Sequence, residues 1–266
     1  MEMNGNSGAP ADLTPPCKGV TSVLGRLFFL VDDSAQNSAV VPHAREWARL
    51  LRMPVSGVSL GDLGPPVSGL RRFLLPADFL LVSNSFLASQ KRDVLRWVLR
   101  TSGPAVLICP DAWQPLLRML VIDDGNNSGE QFLAQAARLV PDLGAQSVVL
   151  TVARTEKAAM ARQQIARRVF ADFGIAGDFD FIVGSEVRVA VANVARWRRS
   201  QLIVMEQQSA RPWRRWLRGN PVEQLINRLN TFSFLMLPEV SGHPFAPPDV
   251  RPPLASIDSL PVNTSS

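Results

Sequence analysis

Paired carboxylates stand at two places where an apolar run ends, and their types could do chemistry. Asp32 and Asp33 follow the run LFFLV, and Asp123 and Asp124 follow the run MLVI. In open α/β sheets, ligands bind beyond the carboxyl ends of the strands. Because successive residues of a strand point to opposite faces, the two members of each pair are poorly placed to act as an acid–base dyad. The pairs therefore indicate a ligand-binding edge or helix caps rather than proton transfer.

A second group of candidate residues surrounds a predicted helix start near the carboxyl end of the chain. Asn220 is a good N-cap, and Pro221 fits the first helical position. Free N–H groups at such an end, beside Gly219, favour an anion such as phosphate. The loop before it holds one acid, Glu206, and four arginines, which are Arg211, Arg214, Arg215 and Arg218. Three interpretations stay open: a solvated basic loop, a nucleotide-phosphate site, and a site for another anion.

Residue types that catalyse reactions are scarce in this chain. There are two histidines, His43 and His243, and no tyrosine. The sequence contains none of the motifs H-E-x-x-H, C-x-x-C and G-x-S-x-G, and it has no Walker loop. We therefore expect a protein that is not an enzyme and that holds no metal.

Length and composition indicate a packed protein of one large or two small domains. The chain has 266 residues, 46% of them hydrophobic and 19% charged, with a net charge of +5. No apolar run reaches the ~20 residues of a membrane span. The two cysteines, Cys17 and Cys109, give no disulfide framework. We expect a cytoplasmic protein, without a nucleic-acid module that would explain its basic charge.

The elements that must position these residues alternate between strands and helices, which predicts a mainly parallel sheet. Helical spacing predicts helices over residues 39–51, 91–100, 130–140, 158–173 and 187–197, and another over 221–229. Short apolar runs predict strands over residues 26–31, 55–60, 77–82, 105–109, 118–122, up to 152, 179–183, 201–205 and 232–237.

The order of elements is written twice along the chain. The segments LVDDSAQNS and VIDDGNNSG place their Asp pairs 91 residues apart (Asp32 and Asp123). We predict a first unit at 25–110 and a second at 116–239, with a disordered tail at 1–24 and a disordered, Pro-rich tail at 240–266. The first unit is shorter because it has no room for the helix–strand–helix segment that the second carries over 158–197.

Residues 201–237 resemble the carboxy-terminal signature of the universal stress protein family. That signature is G-x2-G-x9-G-[ST] after a strand, followed by a helix and an edge strand. The equivalent positions here are Glu206, Ser209, Gly219 and Asn220, so the spacing is kept but only the last glycine remains. The resemblance implies two Rossmann-like units in tandem, of the adenine nucleotide α hydrolase type, with the first unit truncated.

In nucleotide-binding members of that family, an acid after the first strand and a backbone position after the second strand hold the nucleoside. The resemblance assigns these roles to Asp123 and Val152, and it assigns the phosphates to Gly219 and Asn220. Two departures oppose such binding. The lost glycines remove the backbone freedom that a phosphate loop needs, and Glu206 brings a negative charge toward a polyphosphate.

Two functions follow as expectations. In the first, the chain is a non-catalytic stress-response or regulatory protein whose nucleotide motif is degenerate. In the second, the second unit binds ATP, AMP or another adenine nucleotide and signals through it. Because family domains pair through their last strands, we expect pairing of the two units within the chain or a homodimer. The segment RPWRRWLR, from Arg211, could add a surface for a partner or for an anionic membrane.

Overall fold

The computed structural model describes residues 25–31, 40–59, 74–75, 77–89, 104–125, 129–184, 187–207, 225–226 and 228–238. The strands are β1 Leu27–Val31, β2 Val55–Ser59, β3 Phe79–Ser83, β4 Ala105–Cys109, β5 Arg118–Asp123, β6 Gln146–Ala153, β7 Asp178–Val183, β8 Leu202–Glu206 and β9 Ser233–Leu237. The helices in the described part are α1 Val40–Leu51, α2 Asn84–Ser89, α3 Gly129–Leu143, α4 Glu156–Asp172 and α5 Val187–Trp197.

The nine strands of the described residues lie in one sheet, in the order β2-β1-β3-β4-β9-β8-β5-β6-β7. Every neighbouring pair is parallel except β4 and β9, which are antiparallel. The α/β fold class with a mainly parallel sheet is thereby confirmed. On either side of the β4–β9 contact the strands follow the same order, but the second side has one additional outer strand, β7. The division into domains at 25–110 and 116–239 stays a prediction.

The β4–β9 contact is symmetric about one residue pair. Leu107 lies opposite Leu235, and the flanking pairs are Val106 with Met236 and Ile108 with Phe234. Since β4 and β9 hold the same place beside β3 and β8, Leu107 and Leu235 are equivalent positions. The two halves therefore meet around a local two-fold axis, as identical subunits do in an isologous dimer. The pairing satisfies the backbone of two strands that would otherwise be sheet edges.

Apolar side chains cover both faces of the sheet. One face packs against α1, α3 and α4, and its largest fully buried side chains include Trp47 and Phe170. The other packs against α5 and the segment that holds Leu225, Ile226 and Leu229. Central strands such as β3, β4 and β9 are buried along their whole length, which explains their unbroken apolar runs.

Helix boundaries differ from the sequence-based ones for local reasons. α4 begins earlier, at Glu156, because the Thr155 hydroxyl accepts a hydrogen bond from the Ala158 N–H (3.3 Å) and so caps the helix. α3 continues past Pro141 and ends before Gly144, whose φ of +60° suits a left-handed cap. The short helix α2 was not predicted.

The strand register corrects the alignment of the two halves by one residue. Leu27 pairs with Phe79, and Met119 pairs with Leu202, so equivalent positions of β1 and β5 are 92 residues apart (119 minus 27). Asp78 and Gln201 support this register, since their side chains accept a hydrogen bond from the backbone N–H of Arg26 and Arg118, each at 2.9 Å. Val31, rather than Asp32, therefore occupies the place of Asp123.

Several predictions lie outside the described residues. They are the two tails, the helix over 91–100, most of the helix over 221–229, the acids Asp32 and Asp33, and the segment RPWRRWLR. Among the residues that the structure describes, no helix is both long and apolar enough to cross a membrane.

Candidate functional site

Asp123 ends β5 at the carboxyl edge of the sheet, with its side chain only 1% exposed. Its carboxylate accepts hydrogen bonds from Arg162 Nε at both oxygens, at 3.1 Å to Oδ1 and 2.9 Å to Oδ2. The backbone N–H of Gly125, in a turn with φ of +75°, donates a third bond to Oδ1 (3.2 Å). The acid that the sequence singled out is thus held by two groups of its own chain.

Arg162 reaches Asp123 from the buried face of α4. It lies between Ala159 and Ala166 on the stripe that packs on the sheet, and its side chain is 15% exposed. Its Nη2 atom lies directly against the Cα of Gly129, the first residue of α3, where any larger side chain would collide with it. Glycine at 129 therefore makes room for the guanidinium beside Asp123.

Burial and the arginine act in opposite directions on the acid. Burial raises the pKa of Asp123, and the hydrogen bond and charge of Arg162, with the Gly125 N–H, lower it. Burial is the largest of these effects, so the pKa stays above its ordinary value. The buried carboxylate of Asp123 therefore depends on Arg162 as its counter-charge.

Val152 does not share this arrangement. It lies within β6, one residue before the strand ends, and its side chain packs in the core on the opposite face of the sheet. Thr151, the register partner of Asp123, points to the Asp123 face and is fully buried. The assignment of Asp123 and Val152 to a nucleoside stays a prediction.

The loop that follows β8 begins with buried polar side chains. Glu206, which stands where the family signature has its first glycine, is the last residue of β8 and is 5% exposed. The next residue, Gln207, donates from Nε2 to the Pro104 carbonyl (3.2 Å) in front of β4. The start of this loop is thereby fixed to the other half of the sheet. Gly219, Asn220 and the four arginines lie outside the described residues.

Sequence reasoning missed Arg162. A signal for it was present, because Arg162 falls on the apolar stripe of α4 that Ala159, Ala166 and Phe170 define. A charged residue on such a stripe requires a buried partner. Among the described residues, no group of three or more His, Cys, Asp or Glu side chains could hold a metal ion.

Comparisons with known proteins bear on the fold. No protein-family model matches this sequence, and no curated protein matches it. A universal stress protein from Archaeoglobus fulgidus DSM 4304 is similar in structure, with a TM-score of 0.53, 16% identity and coverage of 75% of each chain.

Two other solved structures are similar over shorter stretches. A universal stress protein family member from Burkholderia pseudomallei matches 48% of this chain and 99% of its own, with 20% identity and a TM-score of 0.37. A universal stress protein from Archaeoglobus fulgidus in complex with dAMP matches 45% and 96%, with 16% identity and a TM-score of 0.35. The fold assignment rests on the DSM 4304 structure alone. The chain described here has the fold of the universal stress proteins.

Proposed function

We propose that this chain is a non-catalytic regulatory protein of universal stress protein type whose second half no longer binds adenine nucleotides. The observation that carries the proposal is the buried ion pair between Asp123 and Arg162. In this fold the acid after the first strand is the group that would receive a nucleoside. Here it accepts three hydrogen bonds from its own chain and is almost fully covered.

The energetic cost of freeing Asp123 supports the proposal. Breaking a buried ion pair by removing one partner costs about 3–5 kcal/mol. A nucleotide that had to displace Arg162 would lose roughly 10²- to 10⁴-fold in affinity by this term alone. In addition, Glu206 places a buried acidic side chain at a position where a phosphate-binding loop would need the backbone freedom of glycine.

The second candidate function is binding of ATP, AMP or a related nucleotide through the second half. It is favoured by the position of Asp123, which ends β5 at the carboxyl edge of the sheet, where ligands bind in α/β folds. On this candidate, Arg162 would leave Asp123 when the ligand enters. We expect a cytoplasmic location under both candidate functions.

A thermal-shift experiment separates the two candidates. The wild-type chain is heated with millimolar ATP, ADP or AMP, and the same is done for Asp123→Ala. Our proposal predicts that no nucleotide raises the melting temperature of either protein, because there is no site to saturate. A saturable rise in the wild type that disappears in Asp123→Ala would establish the second candidate instead.

A further inference from the structure

Exposed apolar side chains are concentrated around one edge of the sheet. Strand β7 is the last strand of the described sheet on the side of the second half. Of the six large hydrophobic side chains that are exposed in the described residues, two lie on β7 and two lie on α4 and α5, the helices that pack against it. These four, called here the β7 rim, are Met160, Phe181, Val183 and Trp197. Phe173, at the end of α4, lies toward α3 instead, where the Arg138 guanidinium is 5.6 Å from its ring centroid.

The carboxylates of β7 do not guard this edge. Natural edge strands are protected by charged side chains that repel another strand. In β7 the two acids are held by one arginine. Arg198 donates to Asp180 Oδ2 at 2.7 and 2.9 Å and to Asp178 Oδ2 at 3.0 Å. The guanidinium also stacks over the Trp197 ring, 4.4 Å from its centroid. The two charges are thus directed toward the α5 side and partly neutralised.

The other face of β7 carries the apolar residues. Phe179 packs on the core beneath α4, with the Arg167 guanidinium 4.5 Å from its ring centroid. Because the side-chain period of a strand is two, Phe181 and Val183 point to the same face as Phe179. They are 41% and 43% exposed. This half-covered apolar row lies at the outer border of the face that α4 covers. The outer edge of β7 also carries backbone N–H and C=O groups that could pair with another strand.

We propose that β7 is the contact between two copies of this chain, paired antiparallel about a two-fold axis that passes beside Phe181. In such a pair, residues directly opposite each other lie on the same face of the sheet. For the six-residue strand β7 this leaves two registers near its middle, one centred on Asp180 and one centred on Phe181. A register centred on Asp180 sets the two Asp180 carboxylates opposite each other, and their pairing with Arg198 offsets this repulsion only in part. A register centred on Phe181 sets Phe181 against its own copy and Val183 against Phe179, both favourable cross-strand contacts.

A second copy fits the remaining members of the rim. The two-fold axis places α4 of one copy beside α4 of the other, where Met160 is exposed. On the opposite face it places the two α5 helices side by side, each with Trp197 at its end. Aromatic residues and Met are enriched in protein interfaces. The β4–β9 contact shows that strands of this chain already pair in this symmetric way.

Sedimentation velocity of the full chain tests the proposal. The wild type is expected to sediment with twice the chain mass of 29.1 kDa, and Phe181→Lys is expected to halve that mass. Leu117→Lys is the matched control, because Leu117 is an exposed hydrophobic residue outside the rim. It should remain dimeric, and far-UV circular dichroism shows that each variant is folded. A monomeric wild type would overturn the proposal, as would a folded Phe181→Lys dimer.

Cysteine cross-linking checks the register without disturbing the surface charge. A cross-strand pair at the two-fold axis brings two Cα atoms within disulfide range. Under mild oxidation, Phe181→Cys should give a covalent dimer in high yield, and Asp180→Cys should give no more than the parent chain with its two native cysteines. Efficient cross-linking of Asp180→Cys instead, or of neither variant, would contradict the contact proposed here.

Discussion

At the scale of single residues, the proposed loss of nucleotide binding depends on the pair Asp123–Arg162. Both side chains are buried or nearly so, and Gly129 leaves room for the guanidinium. The sequence was sufficient to select Asp123 as a residue at the ligand-binding edge of the sheet. It was not sufficient to show what Asp123 contacts, because Arg162 is 39 residues away in the chain and meets it only after α4 packs.

Removing Arg162 should leave a buried carboxylate without its counter-charge. We predict that Arg162→Ala lowers the free energy of unfolding by about 3–5 kcal/mol. Arg168→Ala is the matched control on the same helix, since its pair with Glu130 is exposed and should contribute under about 1 kcal/mol. Urea unfolding followed by circular dichroism measures both values. Equal losses for the two variants would mean that Asp123 does not depend on Arg162.

His43 gives the chain a dependence on pH. It is buried on α1, where its ring meets the Trp113 ring edge-on at 5.1 Å between centroids. Burial lowers the pKa of His43 below its ordinary value, and the Pro110 carbonyl and the Asp111 carboxylate oppose that shift. The neutral imidazole is therefore favoured in the folded state, while the unfolded chain takes up a proton below about pH 6.5. The stability that His43 contributes is present above that pH and is lost as the pH falls.

The prediction is a difference in slope between two proteins. Between about pH 7.5 and 5.5, the urea midpoint of the wild type should fall more steeply than that of His43→Leu, which has no titrating group at this position. Carboxylates that titrate in both proteins cancel in the comparison. Parallel slopes would show that His43 is protonated equally in the folded and unfolded chains.

At the scale of elements, most strands and helices could be predicted because their apolar periods are regular. β4 and α5 match their predicted ranges, since both are bounded by residues that end the pattern. The pairing of β4 with β9 agrees with the expectation, drawn from the family resemblance, that the two units pair through their last strands, but periodicity alone does not predict it. Both strands are uniform apolar runs, which show that a strand is buried but do not show which strand covers its edge. The sequence alignment of the two halves was wrong by one residue because it matched the two Asp-Asp pairs to each other. The strand register instead matches Val31 to Asp123.

The β4–β9 contact should depend on the residue at its centre. We predict that Leu235→Ala, which leaves a cavity at the fully buried pair with Leu107, costs about 2–5 kcal/mol of unfolding free energy. Leu117→Ala serves as the control for the same chemical change at an exposed site, and it should cost far less. Chemical denaturation measures the two losses. A negligible loss for Leu235→Ala would show that this contact is not part of the stable sheet.

At the scale of the whole molecule, the chain joins two sets of parallel strands in one sheet, and Asp123 lies at the carboxyl edge, where α/β sheets bind ligands. By strand register, the first half has Val31 at the position of Asp123. In the second half the acid is present but engaged by Arg162. The arrangement of the helices and the sheet does not require particular residues at this edge, because it depends on buried apolar faces. A phosphate loop does, because it requires glycine at defined positions.

The most direct test of this account is calorimetric titration of the purified full-length chain with ATP, followed by the same titration of Asp123→Ala. The account predicts heats of dilution only, identical for the two proteins, at nucleotide concentrations up to the millimolar range. A saturable heat in the wild type that is lost in Asp123→Ala would contradict it, because Asp123 would then exchange Arg162 for a nucleotide.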